Sequence, residues 1–316
     1  LSAISDPYRE TQGFGAEIIF PRDEVPRCVK HPLDENKDLK VLKKPDPYSS
    51  KRMLDRINAI REFKKIAYKQ YSIMGWIEGP AAESADLRGV TNFLMDLAID
   101  QDFAIELMDI CVKACIEFGI AQIESGADTI GMGDAIASQV SPKTYEEFIF
   151  PREKQMVDAI HNAGGIVRLH ICGNTTHLLP FFAKLDADII DLDWQVDMKK
   201  ARDIIGKNTV LVGNLDPVNA VMKSTPEQII NYVTQKYGEN NVARIITFNT
   251  IKARNAVRDV ARVMGLPLNL SDKVAKTIPA NNDIEEALKE VKELYTMYSS
   301  DKNVKQLIDY AKQVEG

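Results

Sequence analysis

The chain has 316 residues, of which 45% are hydrophobic and 27% are charged. These fractions are typical of globular proteins and exclude a collagen-like, coiled-coil or wholly disordered chain. The net charge of −6 argues against a protein built entirely to bind nucleic acid. The sequence has neither an apolar window of membrane-spanning length nor a signal-peptide pattern at its start, so we expect a cytoplasmic protein without membrane contact.

Residues 1–228 alternate between strand and helix patterns. Short apolar runs predict five buried strands, and amphipathic stretches predict helices between them. The strands are Ser72–Ile77, Thr129–Met132, Ile166–His170, Ile189–Leu192 and Val210–Val212, and the longer helices are Asp102–Ser125, Pro142–Ala163 and Thr176–Lys184. This order predicts a parallel sheet. Because five strands are too few for a closed eight-stranded barrel, and Leu1 opens abruptly, we expect a (β/α)8 TIM-type barrel that lacks strands.

After about Gln228 the pattern changes to one helix after another. The predicted helices are Asn231–Tyr237, Ile251–Met264, Ser271–Thr277, Ile284–Tyr295 and Asn303–Val314, with a strand pattern at Ala243–Phe248. Ser271 with Asp272, and Asn281 to Asp283, predict helix N-caps. The fold class is therefore α/β, with an incomplete barrel in residues 1–228 and a mostly α-helical segment in residues 229–316.

The strongest local feature is the pair His170 and Cys172 at the end of a predicted strand. Side chains two residues apart on a strand leave the same face, and the carboxyl ends of parallel strands are where barrel active sites lie. Imidazole and thiolate together suit Zn²⁺. Alternatively, His170 bonds to a carbonyl and Cys172 fills the core. Cys111 and Cys115 lie one helical turn apart on an apolar face, and we interpret both as core residues.

Four carboxylates also fall near predicted strand ends: Glu78, Asp134, Asp193 and Asp216. Such groups orient a substrate or support a metal-bound histidine from behind. Capping of the next helix or exposure to solvent is an equally good interpretation of each one alone. Asp134 and Asp193 rank highest, because each stands where a buried strand emerges.

Six motifs occur together and in order: Asp6-Pro-Tyr-Arg-Glu-Thr, Gly75-Trp-Ile-Glu-Gly-Pro80, Gly126-Ala-Asp, Gly133-Asp134 with Ser138 and Ser141-Pro142, His170-Ile-Cys-Gly-Asn-Thr175, and Gly213-Asn-Leu-Asp-Pro217. Over residues 1–228 they resemble the uroporphyrinogen decarboxylase superfamily. They are most similar to its corrinoid-dependent methyltransferase branch, which includes methylcobalamin:coenzyme M methyltransferases. The His-x-Cys pair marks this zinc-dependent branch.

This resemblance implies that zinc binds a small thiol and lowers its pKa, so that the thiolate takes a methyl group from cobalt. The corrinoid is a substrate, supplied by a corrinoid protein or as free methylcobalamin. His170 and Cys172 are the implied metal ligands. The family's third ligand is a later cysteine, but this chain has none after Cys172. We therefore expect weak zinc binding and impaired activity, unless His177, Glu124 or Asp193 substitutes.

The resemblance also distributes roles among the remaining candidates. Glu78, Asp134 and Asp193 are the expected catalytic carboxylates, and Asn214 and Asp216 in the Gly-Asn-Leu-Asp-Pro motif are expected to bind substrate. A decarboxylase of the same superfamily is the first alternative. The His-x-Cys pair and the missing arginine-rich start disfavour it.

The C-terminal segment resembles a different family, the α subunit of bacterial DNA polymerase III. The motifs are Asn231-Tyr-Val-Thr-Gln-Lys-Tyr-Gly238, Val242-Ala-Arg-Ile-Ile-Thr-Phe248, Lys252-Ala-Arg254, Arg258-Asp-Val-Ala-Arg-Val263, Gly265-Leu-Pro267, Ala275-Lys-Thr-Ile-Pro279 and Leu307-Ile-Asp-Tyr-Ala311. They correspond to the stretch that leads from palm to thumb. The paired aspartates of that family should lie just upstream of Tyr232, where barrel sequence stands instead. The chain is therefore expected to be a chimera with its seam near Thr225–Lys236.

Basic residues in residues 236–276 give the second alternative, an inert nucleic-acid-binding fragment. Lys252, Arg254, Arg258 and Arg262 form the centre of this region, and the three arginines repeat every four residues on one helix face. In the polymerase interpretation they contact phosphates and give weak DNA binding. In the other interpretation the face is simply solvated.

Overall fold

The computed structural model describes residues 1–2, 7–22, 24–67, 70–239, 252–279 and 282–315. The chain divides into two compact units, Leu1–Val233 and Thr234–Gly316, which we call the barrel unit and the C-terminal unit. The predicted strand at Ala243–Phe248 lies outside the described residues.

The barrel unit contains a five-stranded parallel sheet, preceded by a short antiparallel hairpin. The hairpin strands are β1 (Glu17–Ile19) and β2 (Arg27–Lys30), and the sheet strands are β3 (Met74–Glu78), β4 (Thr129–Gly133), β5 (Ile166–His170), β6 (Ile189–Asp191) and β7 (Val210–Val212). Neighbours in the sheet follow chain order from β3 to β7. All five strands predicted from apolar runs are confirmed, and among the described residues they form an open sheet rather than a closed barrel.

Helices connect these strands and cover one face of the sheet. They are α1 (Arg9–Phe14), α2 (Lys51–Ala67), α3 (Pro80–Arg88), α4 (Val90–Ile99), α5 (Gln101–Ser125), α6 (Pro142–Thr144), α7 (Phe150–Asn162), α8 (Leu179–Leu185) and α9 (Met198–Ile205). A further helix, α10 (Pro226–Tyr237), follows the last strand and contains the boundary between the two units. The predicted helix Asp102–Ser125 is confirmed as α5. It ends at Gly126, whose φ of 119° is strained for any residue other than glycine.

Alternate residues of the strands face opposite sides of the sheet. One set is buried under the helices and includes Ile77, Ile130, Val167, Leu169 and Ile190. The other set forms what we call the open face. It consists of Trp76, Glu78, Gly131, Gly133, Arg168, His170 and Asp191. This period of two places most of the chemically capable side chains on the face that the helices leave uncovered.

Two glycines of β4 let Trp76 lie across the open face. A Cβ atom at Gly131 would collide with the indole ring, and one at Gly133 would come within 2.7 Å of it. The indole therefore covers β4, whose residues are all buried. On its far side the ring approaches the imidazole of His170, with 6.0 Å between the ring centroids.

The C-terminal unit is helical where it is described. Its helices are α11 (Ala253–Val263), α12 (Leu268–Thr277), α13 (Ile284–Glu290), α14 (Lys292–Ser300) and α15 (Lys302–Val314). They enclose their own apolar core of small and branched side chains, among them Ala256, Val257, Val274, Leu307 and Ile308. This separate core explains why the segment forms a compact unit by itself.

Two local predictions in this unit have different outcomes. Asp283 caps α13 in a reciprocal capping box with Glu286, which confirms that N-cap. The N-cap predicted at Ser271 is wrong, because α12 already begins at Leu268 and the Ser271 hydroxyl donates to the carbonyl of Leu268. The helix predicted over Ile284–Tyr295 is two helices, separated by extended backbone at Val291.

Candidate active site

His170 and Cys172 come together at the carboxyl end of β5, as their spacing predicts. Nε2 of His170 lies 2.9 Å from Sγ of Cys172. Cys172 is exposed, and the His170 side chain is 40% exposed. A nitrogen and a sulfur donor therefore share one accessible point above the sheet.

Asp191 on β6 holds the imidazole from behind. Its Oδ2 lies 3.1 Å from Nδ1 of His170, and because a carboxylate only accepts, Nδ1 donates. Arg168 Nε donates to both oxygens of Asp191, over 2.9 and 3.0 Å. The hydrogen bond to Asp191 and then that to Cys172 raise the pKa of His170 to about 10. Four side chains thus form one continuous chain of contacts, which ends at the exposed thiol.

The chemistry of this pair fits zinc in part. Zinc takes imidazole nitrogen and thiolate sulfur, and a carboxylate behind the histidine is the usual support of such a ligand. Zinc sites in proteins need at least three protein ligands. Within the described part of the chain, no set of three or more His, Cys, Asp or Glu side chains is arranged to hold a metal ion.

The candidate replacements for the third ligand lie elsewhere or are engaged. Nε2 of His177 lies 3.1 Å from the carbonyl of Val140. Glu124 is near the end of α5, which precedes the amino end of β4, and it accepts from Tyr48 over 3.3 Å. Neither of them joins the pair. Asp193 lies beside the pair, because its Oδ2 accepts from the backbone N–H of Gly173, the residue after Cys172, over 3.0 Å.

Glu78 lies on the open face at the end of β3. Its Oε1 accepts from the indole N–H of Trp76 over 3.1 Å, and its own backbone N–H donates to Glu10. Burial, followed by the nearby charge of Glu10, raises the pKa of Glu78 to about 8. The same two causes raise the pKa of Asp86 to about 7 and that of Glu83 well above its ordinary value.

We call Glu10, Glu78, Glu83 and Asp86 the carboxyl cluster. Glu83 is fully buried; its Oε2 accepts from the Thr11 hydroxyl over 3.2 Å, and its Oε1 has no hydrogen-bond partner in the structure. Burial is the first cause of the raised pKa of every member. Burial therefore favours the protonated form of each of these carboxyls.

Asp134 occupies a different environment from the one its position suggested. It is fully buried, and its two oxygens accept from the backbone N–H groups of Ala81 and Ala82 at the start of α3, over 3.3 and 2.6 Å. Burial raises its pKa to about 6 against the effect of these bonds. Its side chain therefore caps α3, which comes earlier in the chain, and not the next helix, while its backbone N–H donates to the carbonyl of His170 over 3.0 Å.

The residues of the Gly-Asn-Leu-Asp-Pro motif also bond to backbone. Asn214 is buried, and its Nδ2 donates to the carbonyls of Asp193 and Val196 over 3.0 and 2.6 Å. Asp216 caps the following turn, and the backbone N–H of Asn219 is the main cause that lowers its pKa. Their described contacts order the loops after β6 and β7.

The basic helix of the C-terminal unit has its arginines paired internally. Nε of Arg254 donates to the carbonyl of Ile278 over 2.7 Å, and Arg258 pairs with Asp272 over 2.9 Å. Arg262 pairs with Asp259 over 3.0 Å and remains 79% exposed. Lys252 is exposed at the residue before α11. This is the arrangement of a largely solvated, locally neutralised face.

Sequence reasoning missed Asp191, Arg168 and Trp76 as parts of the site. The signal for Asp191 was strand register, since it stands opposite His170 in the sheet. Arg168 was detectable from parity, because it lies two residues before His170 on the same face. For Trp76 the signal was the pair of glycines at alternate positions of the next strand.

Among the described residues, none of the helices combines the length and the apolar character that crossing a bilayer requires.

Known proteins match both parts of the chain. The family described as "Uroporphyrinogen decarboxylase (URO-D)" matches residues 2–247, and the one described as "Bacterial DNA polymerase III alpha NTPase domain" matches residues 220–316. The methylcobamide:CoM methyltransferase MtbA of Methanosarcina mazei is 33% identical over 214 residues, covering 65% of this chain and 60% of that protein. The DNA polymerase III subunit alpha of Buchnera aphidicola is 42% identical over 92 residues, covering 28% of this chain and 8% of that protein.

The fold has a counterpart among solved structures. A methyltransferase from Methanosarcina mazei aligns with a TM-score of 0.60 at 25% identity, covering 68% of this chain and 64% of that chain. The chain thus spans about 60% of the length of the curated methyltransferase that it matches. The two family matches overlap at residues 220–247, which is consistent with a chimera and confirms both resemblances. The chain belongs to the uroporphyrinogen decarboxylase family, and a polymerase III α-type segment follows its barrel unit.

Proposed function

We propose that the barrel unit is a methyltransferase site that moves a methyl group from a methylated corrinoid to a small thiol, in a form weakened by a missing metal ligand. The observation that carries the proposal is the contact of His170 Nε2 with Cys172 Sγ, supported by Asp191. A decarboxylase does not need a thiol at this point. The relatives named above as methylcobamide:CoM methyltransferases agree with this choice.

The residues have separable tasks in this proposal. His170 and Cys172 would hold a zinc ion, whose charge would lower the pKa of a bound thiol. Asp191 keeps a hydrogen of His170 on Nδ1, so that the lone pair of Nε2 can bind the metal. Arg168 donates to both oxygens of Asp191 and so keeps the carboxylate aimed at the imidazole. The corrinoid, free or carried by a protein, meets the thiol at the exposed carboxyl ends of the strands, which also keep Asp193 close to Cys172.

Metal titration tests the proposal. We expect zinc to bind weakly, to be removed by a competing chelator, and to bind less still in Cys172→Ser. The missing third ligand should make zinc affinity at least tenfold weaker than that of an intact three-ligand site, a cost of at least ~1.4 kcal/mol. The matched control is Cys28→Ser. This change also removes a free thiol, but one that is partly buried and lies outside the His170–Cys172 pair. Tight Cys172-dependent binding would contradict the impairment, and no Cys172-dependent binding would contradict the role of zinc.

We further propose that the chain is a junction of a barrel in residues 1–228 and an inert polymerase fragment in residues 229–316. The fragment lacks the paired aspartates that hold Mg²⁺ in nucleotidyl transfer. Sequencing the coding DNA on both sides of the gene tests this proposal. Continuous barrel coding sequence on one side and polymerase coding sequence on the other is the expected result.

A further inference from the structure

We propose that Glu78 accepts the proton of the thiol substrate. Glu78 lies on one side of Gly133 in the sheet, and the His170–Cys172 pair lies on the other side. This inference rests on the proposed function and adds a catalytic group to it. The reaction requires such a group, because the thiol must lose its proton before its sulfur can take a methyl group.

The sheet register places Glu78 beside the site. Glu78 stands opposite Gly133 on β4, and Gly133 stands opposite His170 on β5. The three residues are therefore in line across the open face. Gly133 has no side chain, so what lies over β4 between Glu78 and His170 is the edge of the Trp76 indole, 2.7 Å from where a Cβ of Gly133 would be.

Trp76 fixes the direction of the Glu78 carboxyl. Its indole N–H donates to Oε1 over 3.1 Å, while Oε2 lies 3.3 Å from the position that a Cβ of Gly133 would occupy. Oε2 thus projects over Gly133 towards β5. The same indole approaches the imidazole of His170, so one rigid ring positions both sides of the space. Glu78 is also partly exposed to solvent, as a group that meets a substrate must be.

The proton and electron balance is simple. Oε2 of ionised Glu78 takes the proton of the thiol, which leaves the bonding pair on sulfur as a thiolate. The thiolate uses that pair to form the new S–C bond. The methyl–cobalt bond breaks with its pair retained by the corrinoid, which leaves as the reduced co-product. Glu78 then gives its proton to water.

The surroundings of Glu78 suit this exchange. The groups that interact with it are Tyr8 just before α1, Glu10 from α1, Arg56 from α2, Glu83 and Asp86 from α3, Cys115 from α5, and Trp76 from its own strand. Burial and the acidic neighbours raise the pKa of Glu78 to about 8, close to the roughly 8.5 of a simple thiol. Proton transfer between groups of similar pKa is nearly balanced in energy. Because only ionised Glu78 accepts a proton, the rate should rise with pH up to about 8.

The test measures kcat/KM against pH for methyl transfer from methylcobalamin to two thiols of different acidity, 2-mercaptoethanol and the more acidic 2,2,2-trifluoroethanethiol. We expect a rising limb near about 8 with both thiols. In Glu78→Gln the limb should disappear and kcat/KM should fall by ~100-fold or more. The control Glu62→Gln removes an exposed carboxyl on α2 and should change neither. A limb that follows the acidity of the thiol, or that survives in Glu78→Gln, overturns the inference.

A second measurement keeps the inference separate from the proposed function. If the wild-type chain transfers no methyl group to either thiol, the proposed function fails, and infrared spectroscopy then decides the role of Glu78. At pH 8 with 2-mercaptoethanol added, the protonated-carboxyl band should grow in the wild type but not in Glu78→Gln. Equal spectra for the two proteins overturn the inference.

Discussion

Arg168 of the barrel unit and the arginines of the basic helix in the C-terminal unit make different kinds of contact. In the barrel unit, Arg168 contacts Asp191, which contacts His170, which contacts Cys172, and the chain of contacts ends at solvent. In the C-terminal unit, Arg254 and Arg258 end in local contacts with Ile278 and Asp272. The difference teaches that a row of charged residues becomes a candidate site where its contacts lead to an exposed side chain that can still bind a ligand, as the Cys172 thiol can.

The largest effect should follow from breaking the contacts at Asp191. Asp191→Asn removes the charge that Arg168 and His170 share, and we expect the free energy of unfolding of the barrel unit to fall by about 2 kcal/mol. The expected loss is no larger because Arg168 is 30% exposed and solvent screens part of the pair. The pKa of His170, measured by NMR, should fall from about 10 towards 6.5.

The sign of the pH dependence follows from that pKa. Because folding raises the pKa of His170, its stabilising contribution is complete below 6.5 and is lost as the pH rises through about 10. Asp191→Asn should remove this dependence. The control is Asp186→Asn, an aspartate that is 71% exposed, with an expected change within about 0.5 kcal/mol. Unchanged titration of His170 in Asp191→Asn would contradict the proposed role of the carboxylate.

A second effect should come from the carboxyl cluster, which only the barrel unit contains. The folded chain holds protons on these groups that the unfolded chain releases, so the free energy of unfolding should fall as pH rises. The slope is roughly 1.4 kcal/mol per pH unit for each such proton. Between pH 5 and 6.5, roughly the window between the ordinary pKa values of Glu and His, His170 contributes little to the slope.

Urea unfolding followed by tryptophan fluorescence measures this slope for the barrel unit, because both tryptophans of the chain, Trp76 and Trp194, lie there. Glu83→Gln replaces a fully buried carboxyl by a neutral group and should reduce the slope by about one proton. Glu62→Gln, on the exposed side of α2, should leave it unchanged. A slope that is the same in Glu83→Gln and in the wild type would show that Glu83 is ionised in the folded chain.

The sequence predicted the sheet and the central pair well because both depend on short-range rules. Apolar runs between polar or glycine residues predicted all five strands, and the period of two placed His170 beside Cys172. The contacts of Asp134 were not predictable in this way. They depend on the start of α3, which lies more than fifty residues earlier in the chain, and on how that helix packs against β4.

The same limit applies in the C-terminal unit. The helical repeat correctly placed the three arginines on one helix, but it gave no information on their partners. Asp272 and Ile278 belong to α12 or follow it, and only packing of α12 against α11 brings them to Arg258 and Arg254. Side-chain periodicity therefore predicts which face a residue occupies, whereas tertiary packing decides whether that face remains available to a ligand.

The smallest effects are expected in the arginines themselves, and they test whether the C-terminal unit keeps any capacity for DNA. Arg254→Ala removes a partly buried bond to the Ile278 carbonyl and should cost about 1 kcal/mol of unfolding free energy. Arg262→Ala breaks an exposed pair and should change the free energy of unfolding by less than about 0.5 kcal/mol.

Because Arg262 alone of the three arginines is largely exposed, it should also be the one whose removal lowers the salt dependence of duplex DNA binding, by about one unit of slope. Circular dichroism at increasing urea and fluorescence anisotropy of labelled DNA at several salt concentrations measure the two quantities. An equal loss of salt dependence in Arg254→Ala, Arg258→Ala and Arg262→Ala would show that the internal pairs open when DNA binds, and the contrast between the two units would then fail.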